Sequence, residues 1–389
     1  MEVTAHQNIE RFISNGFEIK YLILSNSIDS KKIEFERYKA AAIDSEIEFH
    51  GIKEKSKFNK IFDELTLKNL TFLNYEMHKK NITFEHILED INYVFVPPIK
   101  GVLFFINYLA KYTEEKGIKS IFHTNDCISS YYLGTALRML KGYEKKTLLG
   151  LSYLFRYQFI KFLEKKYLQR FDLCMVQTTR EKLKLEMLLS SKKSLSPKII
   201  VEANKPVKEL LDYSYKPNGL NFLLMSHFID NRAYSAIWFI KKVWRKVIKI
   251  YPDAHLNIYG ALDIESKVYQ SVKYEKNINF YGFSSSLTDA YRDKIISIVP
   301  IFQDNGSITR ITDSLSAGVP CITSPQALST IDEAQNLKHA IASKNSKKML
   351  TDIINCLDNK EILTNLSKNG KELMLKKYKT KNDLNFLYG

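Results

Sequence analysis

Short apolar and β-branched runs alternate with amphipathic stretches along almost the whole chain. In the first half, 17–24, 47–52, 93–97, 120–124, 147–151, 172–177 and 198–203 predict strands. Between them, 100–116, 128–141, 154–170 and 179–190 carry helical spacing. Strand, helix, strand with short connections predicts a parallel sheet covered on both faces.

After the turn-rich segment 215–219 the pattern restarts, with strands predicted at 221–228, 254–259, 278–282, 296–301 and 320–324. A long helix is predicted at 231–251. Its apolar positions Ala233, Ile237, Ile240, Trp244, Val247 and Tyr251 step by three and four. Lys241, Lys242, Arg245, Lys246 and Lys249 fill the opposite face, and Trp238 and Trp244 read as packing residues. Helices at 344–358 and 360–376 close the chain. The fold class is therefore α/β: two doubly wound, Rossmann-like domains facing each other across a cleft. Open sheets of this kind bind ligands outside the carboxyl ends of their strands.

A chain of 389 residues suits two domains, and 14 Gly with 9 Pro exclude a low-complexity protein. The longest apolar stretch, 91–110, is broken by Pro97, Pro98 and Lys100, so no membrane span is expected. Glu2, His6 and Glu10 leave no apolar core for a secretory signal, which points to a cytosolic protein. Cys127, Cys174, Cys321 and Cys356 are widely spaced and read as buried, reduced thiols. The sequence holds no D-x-D triplet, no G-x-G-x-x-G and no G-K-[ST]. His227 and His255 have no partners at metal-ligand spacing.

Charge changes the picture in one region. The net charge is +15, and residues 101–200 hold 18 Lys and Arg against 8 Asp and Glu. From Arg138 to Lys198 the cations alternate with Tyr143, Tyr153, Phe155, Tyr157, Phe159, Phe162 and Tyr167. A solvated helix face explains this pattern, and so does contact with an anionic membrane surface, with Lys161, Lys165 and Lys166 as the contact residues. Nucleic acid is not expected, because no recognised binding module is present.

The densest chemistry lies between Ile296 and Ser324, which reads as strand, polar loop, helix, tight turn and strand. Asn305, Gly306 and Ser307 lead into a helix N-terminus, where unpaired N–H groups suit a diphosphate. On that helix Arg310 and Asp313 share one face, while Ile308, Ile311 and Leu315 share another. Asp313 is placed to accept hydrogen bonds from two vicinal ribose hydroxyls. Gly318 fits the helix C-cap and Pro320 the stop.

This block resembles the donor-binding segment of the GT-B glycosyltransferases, specifically the large retaining group called family 4. That pattern is a Gly-containing loop, a Lys or Arg, a Glu three residues on, then Ala-x-Ala-x-Gly-x-Pro before a strand. Arg310 matches the basic position, Asp313 the Glu position, and Leu315 to Pro320 the tail. Phe222 to Gly260 looks like the start of the family's second domain, and Asn279 to Phe283 like its segment that contacts the nucleotide base through backbone atoms. Glu164 to Thr178 looks like the helix and strand leaving its first domain.

The resemblance implies an acceptor-side domain at 1–215, a nucleotide-sugar domain at 216–375, and a tail at 376–389 that packs back on the first domain. It implies hexosyl transfer with retention from a nucleotide-sugar to a glycan or lipid-linked acceptor, as in bacterial surface polysaccharide or glycoconjugate synthesis, without metal or cofactor. The implied catalytic set is His123, Arg310 and Asp313. Donor contacts fall to Arg232, Gly282, Phe283, Asn305, Gly306, Ser307, Ile308 and Thr309. Three departures stand out. Asn305 occupies the position of the family's first glutamate, Asp313 is one methylene shorter than the second, and residues 2–15 look like a helix where the family begins with a strand. Two other readings fit the same residues: a non-catalytic GT-B-like subunit and a nucleotide-sugar epimerase. His123 reads either as a cleft-rim ligand for a donor hydroxyl or as a plain loop histidine.

Overall fold

The structure is a computed structural model that describes residues 21–25, 47–51, 91–96, 112–124, 127–141, 147–190, 196–203, 205–226, 228, 233–265, 267–284, 286–301 and 308–379. Contacts divide the chain into two units, one of Met1–Ala203 with Lys381–Gly389 and one of Asn204–Thr380.

In the first unit, β1 (Tyr21–Ser25) pairs in parallel with β2 (Ile47–Gly51). A four-stranded parallel sheet follows in the order β3 (Tyr93–Val96), β4 (Lys119–Thr124), β5 (Leu173–Val176), β6 (Lys198–Val201). Its helices are α1 (Ile128–Lys141), α2 (Thr147–Leu168) and α3 (Thr179–Leu189). One sheet face packs Phe122, Cys174 and Val176 against Ile160, Leu163 and Tyr167 of α2 and Leu185 of α3. Residues 147–151, expected as a strand, are instead the first turn of α2. The apolar run there matches a short strand, but Gly150 lets α2 close onto α1. A Cβ at Gly150 would lie 2.8 Å from Leu140 Cγ.

The second unit is built on a six-stranded parallel sheet. In chain order its elements are α4 (Lys208–Asp212), β7 (Asn221–Met225), α5 (Tyr234–Phe239), a π turn (Ile240–Trp244), α6 (Arg245–Ile250), β8 (His255–Tyr259), α7 (Lys267–Gln270) and β9 (Ile278–Gly282). Then come α8 (Leu287–Tyr291), β10 (Ile296–Val299), α9 (Thr309–Ser316), β11 (Cys321–Thr323), α10 (Pro325–Leu328), β12 (Ile341–Ala342), α11 (Ser346–Asp358) and α12 (Lys360–Lys379). The spatial order is β12-β11-β10-β7-β8-β9. Counted from β7 this is the 3-2-1-4-5-6 order of a doubly wound sheet, with the reversal between β7 and β10.

The predicted 231–251 helix is described from Ala233 onward and contains the π turn. An extra residue in one turn rotates the helix face, and Ile240, Val243 and Trp244 all point into the core. Trp244 meets Phe222 edge-on at 5.4 Å and donates to the Lys276 carbonyl at 3.1 Å, so its polar atom is satisfied while its ring is buried.

The division at Ala203 precedes the expected boundary at 215 because α4 belongs to the second unit. Glu209 on α4 accepts from Ser286 Oγ at 2.8 Å and Thr288 Oγ1 at 2.6 Å, and Tyr215 Oη donates to Ile295 O at 3.0 Å. The expectations for residues 2–15 and for the tail beyond Lys379 lie outside the described residues.

Gly318 ends α9 in a Schellman motif. Its φ is +68°, its N–H reaches Leu315 O at 3.0 Å, and the Val319 N–H reaches Ser314 O at 2.9 Å. Side-chain-bearing residues pay for the left-handed region, so Gly318→Ala should lower the stability of this unit by about 1–2 kcal/mol. Urea unfolding of the purified chain checks this.

Candidate functional site at the switch point of the second sheet

Helix α9 follows β10 and starts at the carboxyl edge of the sheet, beside the reversal in strand order. Ile308, Ile311 and Leu315 are buried against Val299, Cys321 and Leu328, as their spacing predicts. One side chain fixes the helix to the sheet. Ser314 Oγ lies 2.7 Å from the Arg310 carbonyl, 2.8 Å from Ser297 Oγ on β10 and 3.3 Å from Tyr291 Oη on α8. All three residues are buried, so these polar atoms satisfy one another without water.

That anchoring turns Arg310 and Asp313 to the open edge of the sheet. Arg310 Nη1 donates to the carbonyl of Met225, the last residue of β7, at 2.8 Å. The guanidinium therefore spans the reversal point itself. Burial pulls the Arg310 pKa down, with Tyr291 and Asp313 opposing the shift. Asp313 is pushed up by burial to about 7, against the pull of Arg310. A carboxyl that titrates near neutrality beside a cation, at a strand-end edge, is a functional-site signature. Ile308 is the N-cap residue of α9 and offers no side-chain cap, and Thr309 is exposed at the first turn. With no side-chain hydrogen bond from its N-cap residue, the first turn of α9 can offer N–H groups to an anion.

The base-contacting segment expected at 282–283 sits at the end of β9. Gly282 has φ +72° and its carbonyl accepts from Gly260 N–H at 2.7 Å, which ties the ends of β8 and β9 together. Phe283 beyond it is exposed, and the adjacent Tyr281 stacks on Tyr259 at 4.7 Å with an interplanar angle of 7°. Arg232, Asn305, Gly306 and Ser307 lie outside the described residues.

In the first unit His123 is the penultimate residue of β4, at its carboxyl end, paired in register with Met175 and buried beside the Phe95 ring at 5.9 Å. Burial lowers its pKa to about 4, so the imidazole is neutral at physiological pH. Just beyond β4, two carboxylates from different helices meet the N-terminus of α1. Glu164 of α2 accepts the N–H groups of Ile128 and, at 3.0 Å, Ser129, while Glu181 of α3 accepts the Cys127 N–H at 3.3 Å. The sequence reading missed this arrangement and the Ser297–Ser314–Tyr291 set. Thr178, three residues before Glu181, was the available signal, since it caps α3. Lys161 and Lys166 are exposed, while Lys165 donates to the Ser190 carbonyl at 3.2 Å.

Residues 220–359 match the sequence profile of the family described as Glycosyl transferases group 1. No curated protein matches the chain. Solved structures do. Sucrose-phosphate synthase from Thermosynechococcus elongatus superposes with TM-score 0.64 at 12% identity, over 97% of this chain and 88% of that one. Anabaena Alr3699/HepE, in complex with UDP and glucose, gives 0.61 at 9% identity, over 97% and 91%. A glycosyltransferase from Rickettsia africae gives 0.59 at 11%, over 96% and 90%. The chain has the two-domain, Rossmann-like GT-B fold. The part that resembles the group 1 glycosyltransferases in sequence lies within its second unit.

Glu164 supplies a pH prediction. Burial raises its pKa from 4.5 to about 7 despite the hydrogen bonds from Ile128 and Ser129. A carboxyl held higher when folded than when unfolded adds stability that is complete below about pH 4.5 and disappears as pH rises through about 7. Glu164→Gln should flatten the unfolding midpoint between pH 5 and pH 7.5 relative to the parent (~1 unit beyond each limit suffices as control). Thermal scans across that range read it directly.

Proposed function

We propose that the chain transfers a hexosyl group, with retention, from a nucleotide-sugar to a glycan or lipid-linked acceptor, in bacterial surface polysaccharide or glycoconjugate synthesis. The carrying observation is the Arg310–Asp313 pair at the reversal point of a doubly wound sheet, inside the segment that matches group 1 glycosyltransferases. The UDP and glucose complex of HepE supports a nucleotide-sugar as donor.

In this reading the second unit holds the donor and the first unit the acceptor. Asp313 accepts from the ribose hydroxyls, and the backbone at Gly282 and Phe283 meets the base. The first-turn N–H groups of α9, with Ile308 and Thr309, receive the diphosphate together with Arg310. Charge grows on that diphosphate as the glycosidic bond breaks, so preorganised donors there stabilise the transition state more than the ground state. The acceptor hydroxyl attacks on the face the leaving group departs from and passes its proton to the departing phosphate oxygen. His123, neutral, hydrogen-bonds a donor-sugar hydroxyl. The reading needs neither metal nor cofactor, since the sequence offers no D-x-D to hold one. It places the protein peripherally on the inner face of the membrane, where lipid-linked acceptors are met.

One observation favours a second reading, a non-catalytic GT-B subunit: Asn305 stands where the family has its first glutamate. Incubation with a panel of nucleotide-sugars separates the possibilities. A transferase releases nucleotide slowly and faster with acceptor, a subunit binds without turnover, and an epimerase yields an isomerised sugar regardless of acceptor. Product stereochemistry by NMR tests retention, and loss of nucleotide binding in chelator would overturn metal independence.

Asp313→Ala should weaken nucleotide-sugar binding by about 1.5–3 kcal/mol, the range for hydrogen bonds to a charged group, without unfolding the chain. Because the ribose needs an ionised acceptor and Asp313 titrates near 7, affinity should rise roughly tenfold from pH 6 to pH 8. Asp313→Asn should remove that slope. Calorimetry at the two pH values measures both effects.

A further inference from the structure

Helix α2 is apolar on the wrong side. Its buried face carries Arg156 and Glu164 among Ile160, Leu163 and Tyr167. Its outer face exposes Leu148 (86%), Leu151 (52%), Phe155 (72%), Phe159 (37%) and Phe162 (62%). At about 100° per residue these five fall within an arc of about 80°, running about 21 Å along the helix. Lys166 continues the same arc, and Lys161 and Lys165 flank it on one side. Soluble proteins rarely leave so many large apolar side chains contiguous in water unless something covers them.

We propose that this face of α2 is a monolayer-inserting surface that seats the first unit on an anionic lipid bilayer. It deepens the peripheral-membrane part of the reading above and rests on that part alone, not on the transfer chemistry. Two observations select the occupant. No described helix is long and apolar enough to cross a membrane, so α2 lies on a bilayer rather than through it. Residues 101–200 hold 18 basic against 8 acidic side chains, a field that draws anionic headgroups. A second copy docked face to face would bring that same positive field against itself. Phe155, Phe159 and Phe162 then enter the acyl boundary, while the ammonium groups of Lys161 and Lys166 stay at headgroup level on their flexible stems.

The sequence pattern pairs the contact lysines Lys161, Lys165 and Lys166 with interleaved aromatics, and the two contributions are separable. Three proteins are sedimented with vesicles of equal parts phosphatidylglycerol and phosphatidylcholine: the parent, Leu151→Ser/Phe155→Ser/Phe162→Ser, and Lys161→Glu/Lys165→Glu/Lys166→Glu. The serine triple should bind about tenfold or more weakly than the parent at an unchanged thermal midpoint, because each lost apolar side chain removes buried area. The glutamate triple should also lose binding, and the parent should bind pure phosphatidylcholine less well. Loss only in the glutamate triple overturns the inserting face while leaving electrostatic attachment intact. Equal binding of the parent to pure phosphatidylcholine overturns the anionic choice. Sedimentation velocity without lipid covers the rival occupant: a parent dimer that the serine triple dissociates assigns the face to a second copy. If the serine triple melts early, Phe155→Trp decides instead. Its emission should shift to the blue on adding anionic vesicles, and an unshifted spectrum sinks the proposal.

Discussion

The placement of Arg310 and Asp313 depends on how α9 is held to the sheet, and Ser314 holds it. One hydroxyl in a dry position meets a serine on β10, a tyrosine on α8 and a carbonyl of its own helix. Hydrogen bonds buried this way add little net stability while the cost of leaving them unmade is large, so they act mainly as a positional constraint. The helix cannot rotate without orphaning several polar atoms. Rotation is what would carry Arg310 off the Met225 carbonyl and move Asp313 from the open edge. The apolar residues on the opposite face of α9 make the same demand more softly, since packing tolerates small slides that hydrogen bonds do not.

Both units place carboxyl groups where burial lifts their pKa to near neutrality, but to different ends. Glu164 shares the N-terminus of α1 with Glu181, so its environment supplies donors and its role is to fix the chain just after β4. Asp313 has a cation beside it and lies at a strand-end edge. The first arrangement closes a gap between helices; the second presents a group that can change its ionisation when a ligand arrives. Burial at the carboxyl end of β4 acts on His123 in the opposite sense, keeping its imidazole neutral beside the Phe95 ring.

Amphipathic logic holds for α9 and fails for α2, and the contrast separates packing from exposure. On α9, Ile308, Ile311 and Leu315 are inside and Arg310 and Asp313 are at the edge. On α2, charged Arg156 and Glu164 are inside and phenylalanines are outside. A helix whose two faces are both apolar in part has two surfaces to satisfy, and the protein's own core satisfies only one.

Much was legible in the residues themselves. Alternation of apolar runs and helical periods fixes an α/β chain with parallel sheets, because strand and helix periods differ and short connections leave few topologies. The Arg310–Asp313 spacing, the apolar face of α9 and the Gly318 cap follow from local geometry, which needs only a few consecutive residues. The 147–151 run misled because three leucines in five residues fit a strand or a helix equally, and only the contact of Gly150 with α1 decides between them. The depth of His123, the pairing of Glu164 with a helix 36 residues away, and the junction of Ser297, Tyr291 and Ser314 were invisible for one reason. Each depends on which distant segments come together, and burial, which sets both pKa and hydrogen-bond choice, exists only once the sheet has brought them there.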